Sequence, residues 1–259
     1  MIRRHPVACA TSAIVIALLW LPLVIVCVNA LNRDELLVSW QGATTRWFGQ
    51  AWNDGIVRDS LMVSLRIALV SMAVSLVIAT TAVLFWRGAS PRARKILDAS
   101  TVLRIAMPEV VFATGLLLLF ARIGIPFGTP TVALGHAVFG SAYATVVLQA
   151  RLRALDPALE EAAGDLGASP FRRAWRVTLL LAPGLLAAGG LAFILSLDDV
   201  ITTQLLGDPR ENTLPLVILG IVRRTVTPEA NAIGAIVLAL SIVVTTFVII
   251  ASGQRSRRA

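Results

Sequence analysis

Six stretches of this chain are each long and apolar enough to cross a bilayer, which takes about 20 apolar residues. They run approximately Val7–Asn29, Ser60–Trp86, Thr101–Ala121, Thr131–Ala150, Val177–Leu197 and Asn231–Ser252. Inside lipid, a segment must satisfy its own backbone N–H and C=O groups, so stretches of this length form helices. Composition agrees. Of the 259 residues, 57% are hydrophobic and 15% are charged, against about 25% charged in a soluble domain. The chain reads as all-α, a polytopic membrane protein with six transmembrane helices in a single domain over 1–259. Leu214–Val222 is apolar but too short to span, and reads as a re-entrant or interfacial piece.

The start of the chain imitates a signal peptide, with Arg3 and Arg4 before the apolar run and Val28-Asn29-Ala30 after it. The run from Val7 to Val28 exceeds the roughly 7–15 residues of a signal core, so it reads as an uncleaved first helix. Cys9 and Cys27 share that helix. At 1.5 Å per residue they stand about 27 Å apart, which excludes a disulfide between them.

The net charge is +8. Such a balance can signal nucleic acid, but here the arginines sit between apolar runs, and Lys95 is the lone lysine. That pattern is one of basic loops held against an anionic inner leaflet, not a nucleic-acid surface. With the N-terminus inside, the inner segments carry Arg3 and Arg4, then Arg87, Arg92, Arg94 and Lys95, then Arg151, Arg153, Arg172, Arg173 and Arg176, then Arg255, Arg257 and Arg258. They outnumber Arg33, Arg46, Arg58, Arg122, Arg210, Arg223 and Arg224 on the outer side, so both termini and the loop 151–176 are cytoplasmic. Arg66 and Arg104 fall near span ends and read as side chains that snorkel to the interface.

The loop 151–176 is the densest polar stretch of the chain. Asp156-Pro157 is a helix start, with a capping residue before a proline at the first helical position. Leu155, Leu159, Ala162 and Leu166 form one apolar stripe, with Glu160, Glu161 and Asp165 away from it. Gly167 suits a left-handed helix end. Ser169-Pro170 then starts a second helix that runs into the fifth span. The loop is therefore a short amphipathic helix, a glycine turn and a lever on a membrane helix. A helix that lies on an anionic leaflet carries a basic polar face, whereas this one is acidic, which favours a protein partner.

Glu161-Ala162-Ala163, followed by Gly167 and then Val177-Thr178-Leu179, resembles the EAA loop of inner-membrane permease subunits of type I ABC importers. One departure is Leu180, where that family usually has proline; here the proline is Pro183. Met107-Pro108-Glu109-Val110-Val111, Leu195-Ser196-Leu197-Asp198-Asp199-Val200, Thr213-Leu214-Pro215-Leu216 and Val226-Thr227-Pro228-Glu229-Ala230-Asn231-Ala232 resemble the spermidine/putrescine branch, and within it the second permease subunit. The resemblance implies an inner-membrane, multi-pass permease that forms half of a polyamine pathway. It also implies three kinds of partner: a second permease, an ATPase dimer and an extracytoplasmic substrate-binding protein. Glu160, Glu161, Ala162, Ala163, Asp165 and Gly167 would form the ATPase-docking loop. Related permeases carry phosphonates or metal complexes, which remain alternatives.

No G-x-x-x-x-G-K-[ST] motif occurs, so this chain cannot cradle nucleotide phosphates in the usual way, and ATP and Mg belong on the partner ATPase. No catalytic residue set or metal cluster is recognisable, so the chain reads as a transport subunit and not an enzyme. His136 stands alone in the fourth span, where packing or a helix-to-helix hydrogen bond accounts for it. A secondary transporter needing no ATPase is the other class; inverted repeats would favour it, and none is visible.

A polyamine needs carboxylates or aromatic faces along a low-dielectric path. Glu109 sits about 12 Å into the third span if that helix begins near Thr101. An acid there either lines a pathway or pairs with a base of a neighbouring helix. Pro108 beside it frees the Arg104 carbonyl and invites a kink. Asp198 and Asp199 close the fifth span, either as solvated helix-end acids or as an acidic mouth that attracts cations. Tyr143 and Trp86 could offer aromatic faces, although single aromatics in spans usually serve as packing or interface anchors.

Overall fold

A computed structural model describes residues 6–256 apart from 157, 159–164, 166 and 209. The elements are α1 (Pro6–Asn29), α2 (Arg46–Asn53), α3 (Gly55–Gly88), α4 (Pro91–Ala106), α5 (Glu109–Ile123), α6 (Thr129–Arg153), α7 (Pro170–Leu180), α8 (Ala182–Leu197), α9 (Ile201–Leu206), α10 (Leu214–Val222) and α11 (Pro228–Ser256). The all-α expectation holds, and Leu214–Val222 is a helix of nine residues. Among the described residues four helices are long and apolar enough to span a membrane, or five if one bent pair counts as a single span. The four are α1, α3, α6 and α11.

The difference from six spans lies at two prolines. The third stretch is not one helix. Pro108 has no N–H for the Arg104 carbonyl, and a residue before proline is pushed to extended backbone. Met107 accordingly adopts φ −71° and ψ 128°. Pro108 follows at φ −55° and ψ 135°, and α4 and α5 meet at a bend of 105°. Glu109 is therefore the first residue of α5, not a residue two turns inside a span. The fifth stretch is interrupted at Leu181, so α7 and α8 are not one continuous rod. Pro183 leaves the Leu179 carbonyl without its helical N–H, and α8 restarts with Leu185 N–H on the Leu181 carbonyl at 2.8 Å.

The chain groups into two compact units. The first comprises Met1–Asp59 with Val217–Leu240. In it Ala30, Trp47 and Ala232 form a small buried cluster. The loop after α1 is pinned by side chains. The Trp47 indole N–H donates to the Asn32 carbonyl at 2.6 Å, and Asp34 accepts from the N–H groups of Leu36, Val38 and Ser39. Those donors, Ser39 foremost, hold the Asp34 carboxyl below the usual carboxylate range.

The second unit comprises Ser60–Leu216 with Ser241–Ala259, and α6 is its axis. In the most apolar window of α6, 67% is buried, which exceeds the share in any other spanning helix. Small residues make this possible, because they let helix backbones approach closely. A Cβ on Gly140 would stand 2.8 Å from the Ser75 hydroxyl and 3.3 Å from the Ala192 Cβ. One on Gly135 would stand 2.8 Å from Thr202 Cγ2. Two serines one helical turn apart on α3 then lock the register of α6. Ser71 donates to the Ala133 carbonyl and Ser75 to the Ala137 carbonyl, each at 2.9 Å. Apolar clusters lie to either side, one around Leu148, Leu181 and Ala188 and one around Ile67, Phe120 and Leu206.

This packing sets a stability expectation. Gly140→Leu should lower stability by about 1–3 kcal/mol through overpacking. Gly115→Ala, which meets nothing within 4 Å, should raise it by up to about 1 kcal/mol. Thermal unfolding of both variants in detergent checks the pair; equal melting temperatures would contradict the close approach of α3, α6 and α8.

Candidate functional site

The site lies within the second unit, where the start of α5, the middle of α6 and the end of α8 converge. Glu109, Phe139, Ile194, Leu195, Asp198 and Asp199 line a cavity of about 200 Å³. That is below the roughly 300–1,000 Å³ of drug-sized ligand sites, and suits a slender solute. The sequence-derived acids are thus brought together. Glu109 comes from the proline-broken turn, and Asp198 and Asp199 from the end of α8.

The two aspartates differ. Asp198 is exposed and is the C-terminal cap residue of α8, with its N–H on the Ile194 carbonyl at 3.1 Å. Asp199 is buried. Its Oδ1 accepts from the Thr202 N–H at 2.9 Å and the Thr203 N–H at 3.4 Å, so it caps the first turn of α9. It also lies 3.4 Å from His136 Nε2. His136 Nδ1 in turn meets the Ser196 hydroxyl at 2.7 Å. The helix-to-helix hydrogen bond expected of His136 is present. Sequence reading missed that it also reaches Asp199, since nothing in the spacing of residues 136, 196 and 199 signals contact between α6 and the α8–α9 junction. Glu109 and Asp199 line the same cavity.

Arg104 departs from the sequence expectation. It does not snorkel. Its guanidinium carbon lies 3.3 Å from the centroid of the Phe112 ring and 4.5 Å from that of Phe139. All three of its nitrogens are buried and have no hydrogen-bond partner among the described residues. The cause is the bend at Pro108, which turns the first turn of α5 back over the last turn of α4. Arg66, by contrast, is exposed. The aromatic residue at the cavity is Phe139, not Tyr143 or Trp86. Tyr143 packs on Phe139 at 5.1 Å between centroids, and Trp86 lies under Arg94 and Arg153.

In the loop, Glu160, Glu161, Ala162 and Ala163 lie outside the described residues. The flanking devices are visible. Asp156 Oδ1 accepts from the Ala158 N–H at 2.9 Å, and Asp165 is helical and exposed. Gly167 is left-handed at φ 75°, with nothing among the described residues within 4 Å of where a Cβ would stand. Ser169 accepts from the Arg172 N–H at 3.4 Å and caps α7, with Pro170 in its first turn.

Known proteins resemble this chain along most of its length. It is 33% identical over 228 residues to the putrescine transport system permease protein PotI of Escherichia coli (strain K12), covering 85% of this chain and 81% of that protein. It is 34% identical over 229 residues to the spermidine/putrescine transport system permease protein PotC of the same organism, covering 88% of this chain and 86% of that protein. Among solved structures, a bacterial alginate ABC transporter in complex with an alginate pentasaccharide-bound periplasmic protein matches with a TM-score of 0.68 at 16% identity, over 97% of this chain and 93% of that one. The MetNI methionine ABC transporter in an inward-facing conformation matches with a TM-score of 0.64 at 16% identity, over 80% of this chain and 97% of that one. The family described as binding-protein-dependent transport system inner membrane component matches residues 71–258, and the chain belongs to that family.

Proposed function

We propose that this chain is one permease subunit of an ATP-driven importer that carries a polyamine across the bacterial inner membrane. A second permease, an ATPase dimer holding ATP and Mg, and an extracytoplasmic substrate-binding protein would complete it. The observation that carries the cargo assignment is the cavity, where three carboxylates and a phenyl ring converge on about 200 Å³. Carboxylates in a low-dielectric wall favour ammonium groups strongly, and a slender aliphatic amine suits the volume. The names of PotI and PotC agree. The charge of the site disfavours an anionic phosphonate.

The mechanism follows from how the docking loop connects to the acids. ATP binding closes the ATPase dimer, which pulls on the loop 156–176. The Gly167 turn and the Ser169 cap pass that displacement to α7. At Leu181 it enters α8, whose 16 residues reach about 24 Å to Asp198 and Asp199. Tilting α8 moves those carboxylates relative to Glu109 on α5, so the cavity opens to one side of the membrane or the other. The arginine distribution supports an orientation with both termini and the docking loop inside.

Two outcomes test this reading. Glu109→Gln should raise the KM for putrescine uptake about tenfold, the effect of losing about 1.4 kcal/mol, with normal membrane insertion. Uptake of labelled putrescine by cells carrying the variant measures it, and an unchanged KM would make Glu109 structural. Gly167→Asp should abolish uptake, because a side chain at φ 75° strains the turn. Co-purification of the ATPase should fall with it. Wild-type uptake by that variant, or uptake by vesicles lacking any ATPase, would remove the lever.

A further inference from the structure

Resting on the polyamine reading above, we infer that Arg104 sets the charge this cavity accepts, so that the site prefers a diamine to a triamine. The guanidinium is fixed. It lies against Phe112 and Phe139, at 3.3 Å and 4.5 Å from their centroids, and its nitrogens are buried. Phe139 is also a cavity wall, so the positive charge stands one ring away from the space the cargo would fill.

Electrostatics then favours the shorter charge series. The ammonium groups of the cargo are drawn to Glu109, Asp198 and Asp199, which line the cavity, and the guanidinium behind Phe139 offsets part of that attraction for each ammonium the cargo carries. The third ammonium of spermidine meets that offset once more, so Arg104 costs the triamine more than the diamine. Among the described residues, Arg104 has no hydrogen-bond partner that would explain its place. Nor is it needed to stabilise the Asp199 carboxylate, which is already held by His136 and the α9 backbone.

The test is equilibrium binding of labelled putrescine and spermidine to the full chain, co-purified with its partner subunits in lipid nanodiscs without the extracytoplasmic protein. The wild type should bind putrescine more tightly. Arg104→Gln should move the ratio of the two dissociation constants toward spermidine by about tenfold or more, a change of about 1.4 kcal/mol. Arg104→Lys, which keeps the charge, should stay within about twofold of the wild-type ratio. Glu109→Gln, which removes a negative charge, should move the ratio the other way and keeps the test decisive if Arg104→Gln fails to assemble. A ratio unmoved by Arg104→Gln or by Glu109→Gln overturns the inference, as does an Arg104→Lys shift equal to that of Arg104→Gln. If the wild type binds neither amine, the polyamine reading itself falls, a result distinct from binding whose ratio ignores Arg104.

Discussion

A carboxylate withdrawn from water inside a membrane protein persists only where its charge is answered, and Asp199 is where this chain meets that constraint. Its oxygen gathers the Thr202 and Thr203 N–H groups and the edge of His136, and His136 is anchored in turn by Ser196. One acid thereby joins α6, α8 and α9. The close approach of α6 to its neighbours depends on glycines at 135 and 140, and that approach brings His136 within reach. Remove the approach and the acid loses its partners; remove the acid and the first turn of α9 loses its cap.

The second determinant is backbone chemistry at two prolines. Pro108 turns what composition presents as a span into two helices at 105°. That turn places Glu109 at a helix start facing the end of α8, and folds Phe112 over Arg104. Pro183 separates α7 from α8 at Leu181, so the loop before α7 connects to Asp198 and Asp199 through a joint and not through a single rigid rod.

Much of this is legible in the sequence, because it is governed by local rules. Apolar length marks the membrane helices. Asp156, Gly167 and Ser169 declare their capping and turn roles from residue type and neighbours, and each adopts the expected geometry. The kink at Pro108 is local too, although its size is not. What sequence does not convey is contact through space. The burial of Asp199 beside an exposed Asp198, the reach of His136 to that acid and the role of Phe139 as a wall all depend on how α6 meets α8. Arg104 is the sharpest case. Its position near a span end argues for snorkelling, and only the bend reveals two rings waiting for it. The break at Leu181 was signalled by Pro183 displaced from its usual place, a signal that bears on where the fifth helix begins.

The central claim is that cationic cargo occupies the cavity between α5, α6 and α8. Thiol labelling at its wall measures this directly, using Ile194→Cys in a chain whose free cysteines, Cys9 and Cys27, are replaced by serine. In the assembled importer, putrescine should slow labelling at position 194 severalfold, and the uncharged butanediol of the same length should not. Equal labelling rates with and without putrescine, in a complex that still imports it, would place the cargo elsewhere and contradict the account.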